Sequence, residues 1–406
     1  MPRSAWGLGV RILTVANHLG ARGGLERTQL TNCTALAERG HRVDLVYVSA
    51  GDFAEDWSRL ATTMVQIRGS LPRRRRPLSS TLALVSALRS GVRLRPDVVY
   101  VYRYWDIPYA VTVGLMARAP VVFHLCLPPP KTVPPWLRIA LRRVAATLAV
   151  SRDTASRWLG TGLRQEWTTV VLTGVDLQRY TPATPGARAA TRRDLEIPEE
   201  GLLVLYTGRI GREKGVDVLV RAFAAVHAAV PASRLVVVGS PSLGADPEDS
   251  RRYEKELRQA GQGLPVSWIP ARPDVVALVQ AADVAVAPSL WPEPLSRSVM
   301  EPLACGVPVI ATRVGGNPEI LTGWLAAYLV EPHDVDGLAR QISSLQSWRQ
   351  RQPDLGDRLR AEAVARLSLE SEVDAIEAAL QTVGATTQSR SRRRRRTSPT
   401  DATSCG

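Results

Sequence analysis

Cysteine is scarce in this chain, and long apolar runs are missing. The four cysteines among 406 residues, Cys33, Cys126, Cys305 and Cys405, form no C-x-x-C pair, which argues against a zinc site or a disulfide framework and is typical of a reducing cytoplasm. No stretch reaches the ~18 uninterrupted apolar residues of a membrane-spanning helix. The apolar run that follows residue 9 is too short, and too interrupted by Arg11, for a signal sequence. We expect a cytoplasmic protein whose membrane contact, if it has any, is peripheral and on the inner face.

A glycine fingerprint for dinucleotides is also missing. No G-x-G-x-x-G follows the first predicted strand, VRILTVA at residues 10–16. An NAD-dependent oxidoreductase needs such a turn for the pyrophosphate of its cofactor, so this absence counts against that class of enzyme.

Positive charge is abundant and is concentrated in two short runs. The formal net charge is +14. One run is Arg73, Arg74, Arg75 and Arg76, and the other lies in the tail 385–406, which we expect to be disordered. Such runs either bind anionic partners, including phospholipid headgroups, nucleic acid and phosphorylated substrates, or are simply solvated. Both interpretations stay open at this point.

Short Val/Ile/Leu-rich segments alternate with helical segments, which predicts parallel sheets covered on both faces. A chain of this length exceeds the ~250–300 residues that one core usually serves. We therefore predict two doubly wound α/β units, 8–178 and 179–366, with the natural ligand site in the cleft between them, at the carboxyl ends of the strands. The predicted strands are 10–16, 41–49, 96–102, 120–126, 146–151, 202–208, 234–239, 266–269, 283–289, 307–312 and 326–330, with a linker and short helix in 173–198.

Two cations follow the first strand of the second unit. Arg209 and Lys214 flank a glycine-containing loop just before a helix, in YTGRIGREKGVDVLVRAF. Free backbone N–H groups at a helix start and two cations suit a diphosphate, although a solvated basic loop fits equally well. Gly239, at the end of the next strand, permits close approach of backbone to a ligand, which alone is a weak signal.

Two carboxylates stand eight positions apart in WPEPLSRSVMEPLACGVPVIAT, residues 291–312. Glu293 lies in the loop after a strand, and Leu295 and Ser296 supply backbone N–H groups at the start of the next helix. We expect Glu301 about two turns into that helix, since eight residues make about 2.2 turns. Carboxylates accept hydrogen bonds from the paired hydroxyls of sugars. The alternative, two surface glutamates, is disfavoured by the apolar flanking segments.

Weaker candidates lie elsewhere in the chain. Gly23 and Gly24 separate the first strand from its helix and could expose amides to a phosphate. His124, in the strand VVFHLC, is either a satisfied core histidine or a cleft-facing group at a strand end. Asp334 and Asp336 match the D-x-D pattern of metal–nucleotide sites, but at the start of a helix we expect Asp334 to be an N-cap.

In combination these motifs resemble the retaining glycosyltransferases of family 4. They are G-R-x-x-x-x-K-G, E-x7-E and A-C-G-V-P-V-I-A-T-x-x-G-G-x-x-E, which runs from Ala304 to Glu319, with support from TGVD at 173–176. The resemblance covers residues 9–384. It implies the GT-B fold, two Rossmann-like domains facing a cleft, with the first an acceptor domain and the second a donor domain. It also implies that a C-terminal helix, 367–384, returns to pack on the first domain.

The resemblance also implies a role for each candidate. Arg209 and Lys214 would neutralise the donor diphosphate in place of a metal, so no metal or other cofactor is expected. Glu301 would hold the ribose, and Glu293 would orient the donor sugar. The amides of Leu295 and Ser296 would contact the sugar, and His124 would contact it near its reacting carbon. Gly24, and more weakly Gly23, would contact the diphosphate or the acceptor. Gly239 would contact the donor.

The sequence departs from the family pattern in ways that leave the substrates open. Leu295-Ser296 stands where an aromatic-glycine pair is usual, and Thr173 replaces an asparagine. We expect a UDP- or GDP-linked donor and an unidentified glycan or lipid-linked acceptor, such as a cell-envelope or polysaccharide precursor. We also expect contact with anionic membrane through the Arg73–Arg76 run, and no nucleic acid. The alternatives are a GT-B nucleotide-sugar epimerase and a basic protein that binds membrane or nucleic-acid surfaces.

Overall fold

The computed structural model describes residues 9–20, 24–69, 77–198, 200–241, 246–272 and 274–396. The chain divides into two compact units. Unit 1 holds the described residues up to Val150, then Thr154–Val171, and those from Val373 onward; unit 2 holds Ser151–Asp153 and Leu172–Glu372. The Arg73–Arg76 run and Gly23 lie outside the described residues.

Unit 1 is built on a parallel sheet with seven strands in its described part, in the order β3-β2-β1-β4-β5-β6-β7. These strands are β1 (Arg11–His18), β2 (Arg42–Ser49), β3 (Thr63–Gln66), β4 (Val98–Val101), β5 (Val121–Leu125), β6 (Ala146–Ala149) and β7 (Thr168–Val170). The helices between them are α1 (Gly24–Glu38), α2 (Ala54–Leu60), α3 (Pro77–Arg93), α4 (Ile107–Ala117), α5 (Pro135–Leu141) and α6 (Arg152–Arg157).

Unit 2 repeats the plan with six strands among its described residues, in the order β10-β9-β8-β11-β12-β13. They are β8 (Leu203–Thr207), β9 (Arg234–Val238), β10 (Val266–Ile269), β11 (Val284–Ala287), β12 (Val309–Thr312) and β13 (Leu329–Val330). The helices are α7 (Pro185–Asp194), α8 (Val216–Ala229), α9 (Pro247–Ala260), α10 (Val276–Ala281), α11 (Arg297–Ala304), α12 (Asn317–Ile320), α13 (Val335–Ser344), α14 (Trp348–Arg351) and α15 (Leu355–Arg366), and α16 (Leu369–Arg396) ends the described chain. None of the described helices combines the length and apolar character needed to cross a membrane.

The two predicted parallel sheets are confirmed. Strands β4, β5, β11 and β12 are buried at every residue, which explains why their sequences are predominantly apolar and do not alternate. All eleven predicted strands are present, but the last, predicted over 326–330, is shortened to Leu329–Val330 because a 3-10 helix runs over Gly323–Tyr328. The sequence missed β3 and β7, which are the two outer strands of the unit 1 sheet. Both are short and partly exposed, with the sequences TMVQ and TTV, so no apolar run marks them.

The chain passes from unit 1 to unit 2 at Val171, earlier than the predicted boundary at 178, and returns at Val373 instead of 367. The reason is a crossing of two segments. Val175 pairs with Ser368 in an isolated parallel bridge, and the Gly174 amide donates to a Glu372 carboxylate oxygen at 2.7 Å. A Cβ on Gly174 would lie 2.4 Å from the Leu369 Cα. The TGVD motif therefore holds the start of α16 within unit 2.

The last helix, α16, packs on unit 1 from Val373 onward. Val373, Ile376 and Leu380 are buried, and Glu377 pairs with Arg39 at 2.9 Å and with His41 at 3.2 Å. The helix continues to Arg396. The first part of the tail 385–406 thus continues α16, in keeping with the high helix propensity of arginine and with the packed turns that precede it.

We expect Gly174→Ala to lower the free energy of unfolding by about 1–3 kcal/mol, because the added methyl group would overlap the Leu369 backbone. Urea unfolding followed by tryptophan fluorescence measures this change. The matched control is Gly186→Ala in α7, where an added Cβ meets no atom within 4 Å in the described structure. Equal unfolding curves for wild type and Gly174→Ala would contradict this account of the crossing.

Candidate functional site

Strands β8 and β11 are neighbours in the unit 2 sheet although they are not consecutive in sequence. Chain connections leave in opposite directions on either side of this pair, and such a switch point opens a crevice at the carboxyl ends of the strands. Arg209 and Lys214 follow β8, and Glu293 follows β11. The structure thus brings three of the predicted site residues to one edge of one sheet.

Lys214 and Glu293 form an ion pair at this edge. The Lys214 ammonium donates to Glu293 Oε1, and the side chains are only 15% and 13% exposed. Ser289 Oγ donates to the same carboxylate oxygen at 2.8 Å. The sequence assigned these two charges to separate tasks, whereas the structure shows that each one positions the other.

Backbone contacts hold the two loops together. The Glu213 carbonyl accepts hydrogen bonds from the Leu290 amide at 2.9 Å and the Trp291 amide at 3.2 Å. Gly215 has a φ of +65°, and a Cβ there would lie 2.1 Å from the Pro288 carbonyl oxygen. Only glycine fits this left-handed conformation and close approach. The turn after β8 is therefore packed directly against the loop after β11.

The Gly315-Gly316 pair of the long motif supports the same loop. The Gly316 amide donates to the Glu293 carbonyl at 2.7 Å. A Cβ on Gly315 would lie 2.0 Å from the Glu293 carbonyl oxygen, and one on Gly316 would lie 2.3 Å from that of Pro294. These glycines are therefore required by packing against the loop that carries Glu293.

Glu301 lies one turn into α11, not two as predicted, because the helix begins only at Arg297. Its carboxylate accepts from Arg297 Nε at 3.0 Å, and its side chain is 10% exposed. Burial and the neighbouring Glu301 raise the pKa of Tyr180. The sequence missed Arg297, although its position four residues before Glu301 is the spacing of a helical ion pair.

Leu295 and Ser296 precede α11 as predicted. Ser296 is the N-cap residue, and its side chain bonds to the Ser298 hydroxyl at 2.9 Å. The backbone amides of Leu295 and Ser296 donate to no acceptor among the described residues. Both N–H groups are therefore available to an anionic ligand at the positive end of this helix.

Arg209 has a side chain exposed at the edge of the site, whereas Gly239 is packed between strands. The Arg209 side chain is 44% exposed and lies 4.0 Å from the Glu213 carboxylate, and its carbonyl accepts from the Tyr206 hydroxyl at 2.5 Å. The Gly239 amide donates to the Ile269 carbonyl at 2.9 Å, and a Cβ there would lie 2.0 Å from the Gly208 carbonyl oxygen. Strand packing therefore explains Gly239, whereas Arg209 keeps an exposed cation at the site edge.

His124 is a core residue, which corrects its predicted place at a cleft-facing strand end. It lies inside β5 and is 0% exposed. Nδ1 is 2.6 Å from the Tyr100 hydroxyl, and the ring stacks on Tyr102 with centroids 5.0 Å apart. Burial lowers the pKa of His124 to about 3, so the imidazole is neutral at physiological pH. A side chain without accessible surface in this structure offers no contact to a sugar.

Unit 1 has its own switch point, between β1 and β4, and the sequence missed most of the polar groups there. Arg103, just beyond β4, pairs with Glu26 of α1 at 2.7 Å, and both are largely buried. Asn17, near the end of β1, donates to Asp106 at 3.3 Å. Gly24 is the first residue of α1 and is exposed. Paired charges at a strand-end crevice make this edge of unit 1 a second candidate site.

The capping interpretation of the D-x-D pattern is confirmed. The Asp334 carboxylate accepts from the Gly337 amide at 2.8 Å and caps α13. Across the described parts of the chain, no three His, Cys, Asp or Glu side chains are arranged to hold a metal ion.

Comparison with known proteins identifies the family. The model described as Glycosyltransferase Family 4 matches residues 22–179, and the one described as Glycosyl transferases group 1 matches residues 187–361. The chain belongs to glycosyltransferase family 4 and has the GT-B fold.

Similar proteins include D-inositol 3-phosphate glycosyltransferases. That of Thermobifida fusca is 31% identical over 69% of this chain and 65% of its own length. That of Corynebacterium jeikeium is 34% identical over 43% of this chain and 42% of its own length. The chain thus spans between about two fifths and two thirds of the length of these relatives.

Solved structures extend the likeness in fold to almost the whole chain. Anabaena HepE in complex with UDP superposes with a TM-score of 0.78 at 21% identity, covering 92% of this chain and 100% of that one. WaaG, a glycosyltransferase involved in lipopolysaccharide biosynthesis, superposes with a TM-score of 0.66 at 19% identity, covering 91% and 98%.

We expect the buried His124 to make unfolding pH-dependent. The pKa of His124 in the folded protein lies below its ordinary value of 6.5. Between these two values the unfolded chain binds a proton that the folded protein does not, so stability falls as the pH drops from 6.5 towards 3. Between pH 7 and pH 5 this costs about 2 kcal/mol, which His124→Gln should remove. Urea unfolding at the two pH values measures the difference. The same loss in wild type and variant would show that His124 titrates normally and is not a neutral core residue.

Proposed function

We propose that the protein is a retaining glycosyltransferase that moves a sugar from a UDP- or GDP-linked donor to a glycan or lipid-linked acceptor. The observation that carries the proposal is the Lys214–Glu293 pair at the β8/β11 switch point, with exposed Arg209 and two unpartnered amides beside it. The names of the relatives and the UDP and UDP-glucose complexes of HepE support this chemistry.

The donor diphosphate would lie against Arg209 and Lys214. Two cations and the free amides of Leu295 and Ser296 complement its negative charge, which grows as the sugar departs. Glu293 would accept hydrogen bonds from the sugar hydroxyls, and Glu301 from the ribose. Because Lys214 and Arg297 already orient these carboxylates, little ordering of side chains is needed on binding.

The reaction proposed is a front-face substitution. The bond between the anomeric carbon and the diphosphate oxygen breaks, and the acceptor oxygen bonds to that carbon on the same face. The acceptor proton passes to the departing phosphate oxygen, which yields a nucleoside diphosphate. Arg209 and Lys214 would supply the charge stabilisation that other transferases take from a metal, so we propose a metal-independent enzyme.

Unit 1 would receive the acceptor at its own switch point. Glu26, held by the buried Arg103, presents a partly exposed carboxylate there, and Asn17, held by the buried Asp106, presents an amide. A carboxylate and an amide can bind the hydroxyl groups of an acceptor. Gly24 at the start of α1 brings backbone close to the same edge.

A second face of unit 1 suits an anionic membrane. The α3–α5 surface, defined as the outer sides of α3, α4 and α5, exposes large apolar side chains, and these three helices contain no acidic residue. Exposed arginines flank it. An apolar patch with a basic rim is typical of a peripheral membrane contact. Its exposed apolar residues are Leu82, Val85, Leu115, Met116, Trp136 and Ile139, and its arginines are Arg89, Arg93, Arg118, Arg138, Arg142 and Arg143.

We expect Lys214→Ala and Glu301→Ala each to lower sugar transfer by at least about 100-fold with the fold intact, because each removes a group that binds the donor. Release of nucleoside diphosphate from UDP- and GDP-linked sugars measures transfer or hydrolysis, and circular dichroism checks the fold. The matched control is Lys255→Ala, which changes an exposed lysine on α9.

Full activity in either site variant would overturn the assignment of these residues to the donor site. Complete inhibition by EDTA that added metal restores would overturn metal independence.

We expect binding to vesicles that contain anionic lipid, and a several-fold loss of binding in Trp136→Ser and Ile139→Ser, because each removes exposed apolar area from the α3–α5 surface. Vesicle sedimentation measures the bound fraction. Val364→Ser is the control, since Val364 is also 49% exposed but lies on α15 of unit 2. Equal binding to neutral and anionic vesicles would rule out the membrane role of this surface.

A further inference from the structure

Three arginines surround one carboxylate at the amino edge of the unit 2 sheet, opposite the edge that carries Lys214. Asp283 lies just before β11, and Arg188 and Arg192 of α7 reach it at 2.5 Å and 2.9 Å. Arg349 of α14 lies 3.5 Å away through its Nε. The cluster therefore holds three positive charges around one negative charge.

One arginine, Arg192, has most of its donors bonded within the fold, although its buried Nε meets no acceptor among the described residues. Arg192 is 1% exposed, and its guanidinium donates to the carbonyls of Ala281 at 3.1 Å, Pro198 at 2.7 Å and Gly201. Asp283 in turn accepts from the Leu203 amide at 2.9 Å. The Arg192–Asp283 pair thus joins α7 to the amino ends of β8 and β11, and its charges balance.

The other two arginines, Arg188 and Arg349, each make only one hydrogen bond to a described residue. Arg188 makes one hydrogen bond, to Asp283, and Arg349 makes one, to the Ala282 carbonyl at 3.0 Å. Their remaining N–H groups meet no acceptor among the described residues. Burial and the neighbouring Arg188 lower the pKa of Arg349 to about 10, which is the response of a cation in a site with excess positive charge.

Two cavities flank this arginine pair. They measure about 160 Å³ and 190 Å³, and both are lined by Arg188, Trp348 and Arg349. The Arg349 guanidinium lies 4.3 Å from the Trp348 ring centre, which fixes its plane. Glu200 lines the first cavity and Asp357 the second, and both carboxylates are exposed to solvent. Either cavity is larger than the ~30 Å³ share of one water molecule, so a tetrahedral anion has room.

We propose that Arg188 and Arg349 form an anion site that takes a phosphate dianion, either free or as the headgroup of a phosphomonoester. Guanidinium groups offer paired donors that match phosphate oxygens, and a dianion would neutralise the excess charge. The site lies at the opposite end of the strands from the Lys214–Glu293 pair, roughly 15 Å away for a five-residue strand. It is therefore separate from the donor site and does not depend on the proposed reaction.

The test is thermal unfolding of the full chain titrated with inorganic phosphate and, separately, glycerol phosphate, at constant ionic strength set with chloride. We expect a saturable rise in Tm that persists in Lys214→Ala, and an apparent Kd raised about ten-fold or more in Arg188→Gln and Arg349→Gln. Tighter binding of glycerol phosphate would identify a phosphomonoester, and equal or weaker binding would identify free phosphate.

A rise in Tm that is unchanged in both arginine variants, or that Lys214→Ala alone abolishes, would overturn the proposal by placing the phosphate elsewhere. Phosphorus NMR of inorganic phosphate with wild-type protein keeps the test decisive if a variant fails to fold. We expect the protein to broaden the phosphate signal. Glycerol phosphate should reverse this broadening, and a UDP-linked sugar should leave it unchanged. No broadening would contradict the site.

Discussion

The Lys214–Glu293 ion pair joins two loops that are 79 residues apart in sequence. It exists because the sheet places β8 beside β11, so the geometry of the site depends on the strand order of the whole unit. A largely buried pair is stabilised only while its partners stay in contact, since separating them leaves an uncompensated charge. The hydrogen bonds of the Glu213 carbonyl and the Gly315-Gly316 packing maintain that contact. Gly315 and Gly316 thus affect the geometry of the ion pair through the loop that carries Glu293, although they do not contact the charged groups themselves.

The residue types of the site could be predicted from the sequence, but not their partners. Arg209, Lys214 and Glu293 follow apolar strands, and the edge at which parallel strands end is known in advance. The pairing of Lys214 with Glu293 depends on which strands are adjacent, and adjacency has no local signal. The predicted depth of Glu301 in α11 was wrong because the helix begins at Arg297 and not at Leu295. Because the helix starts two residues later, the eight-residue spacing of Glu293 and Glu301 includes more loop and less helix than expected.

The misses in the fold have a common physical origin. Buried central strands are continuous apolar runs and were found, whereas the outer strands β3 and β7 bury too little to leave such a run. His124 shows the opposite error, because a polar residue in an apolar strand resembles a site residue. Inside the core its Nδ1 bonds to Tyr100, and that contact comes from β4, the neighbouring strand. In both cases the deciding information is tertiary.

The arginines show why net charge alone is a poor guide to anion binding. Arg192 and Arg360 are cations whose donors are used by backbone carbonyls, Arg360 bonding to those of Leu177, Tyr180 and Ala304. Such residues stabilise chain crossings, and the Arg192 Nε, which has no partner among the described residues, is buried out of reach of a ligand. A guanidinium binds an anion only where the protein supplies too few acceptors, because its unused N–H groups then lose their water without compensation. Arg188 and Arg349 differ from Arg192 because each makes a single hydrogen bond and lies partly exposed beside a cavity, where its remaining N–H groups can reach a ligand.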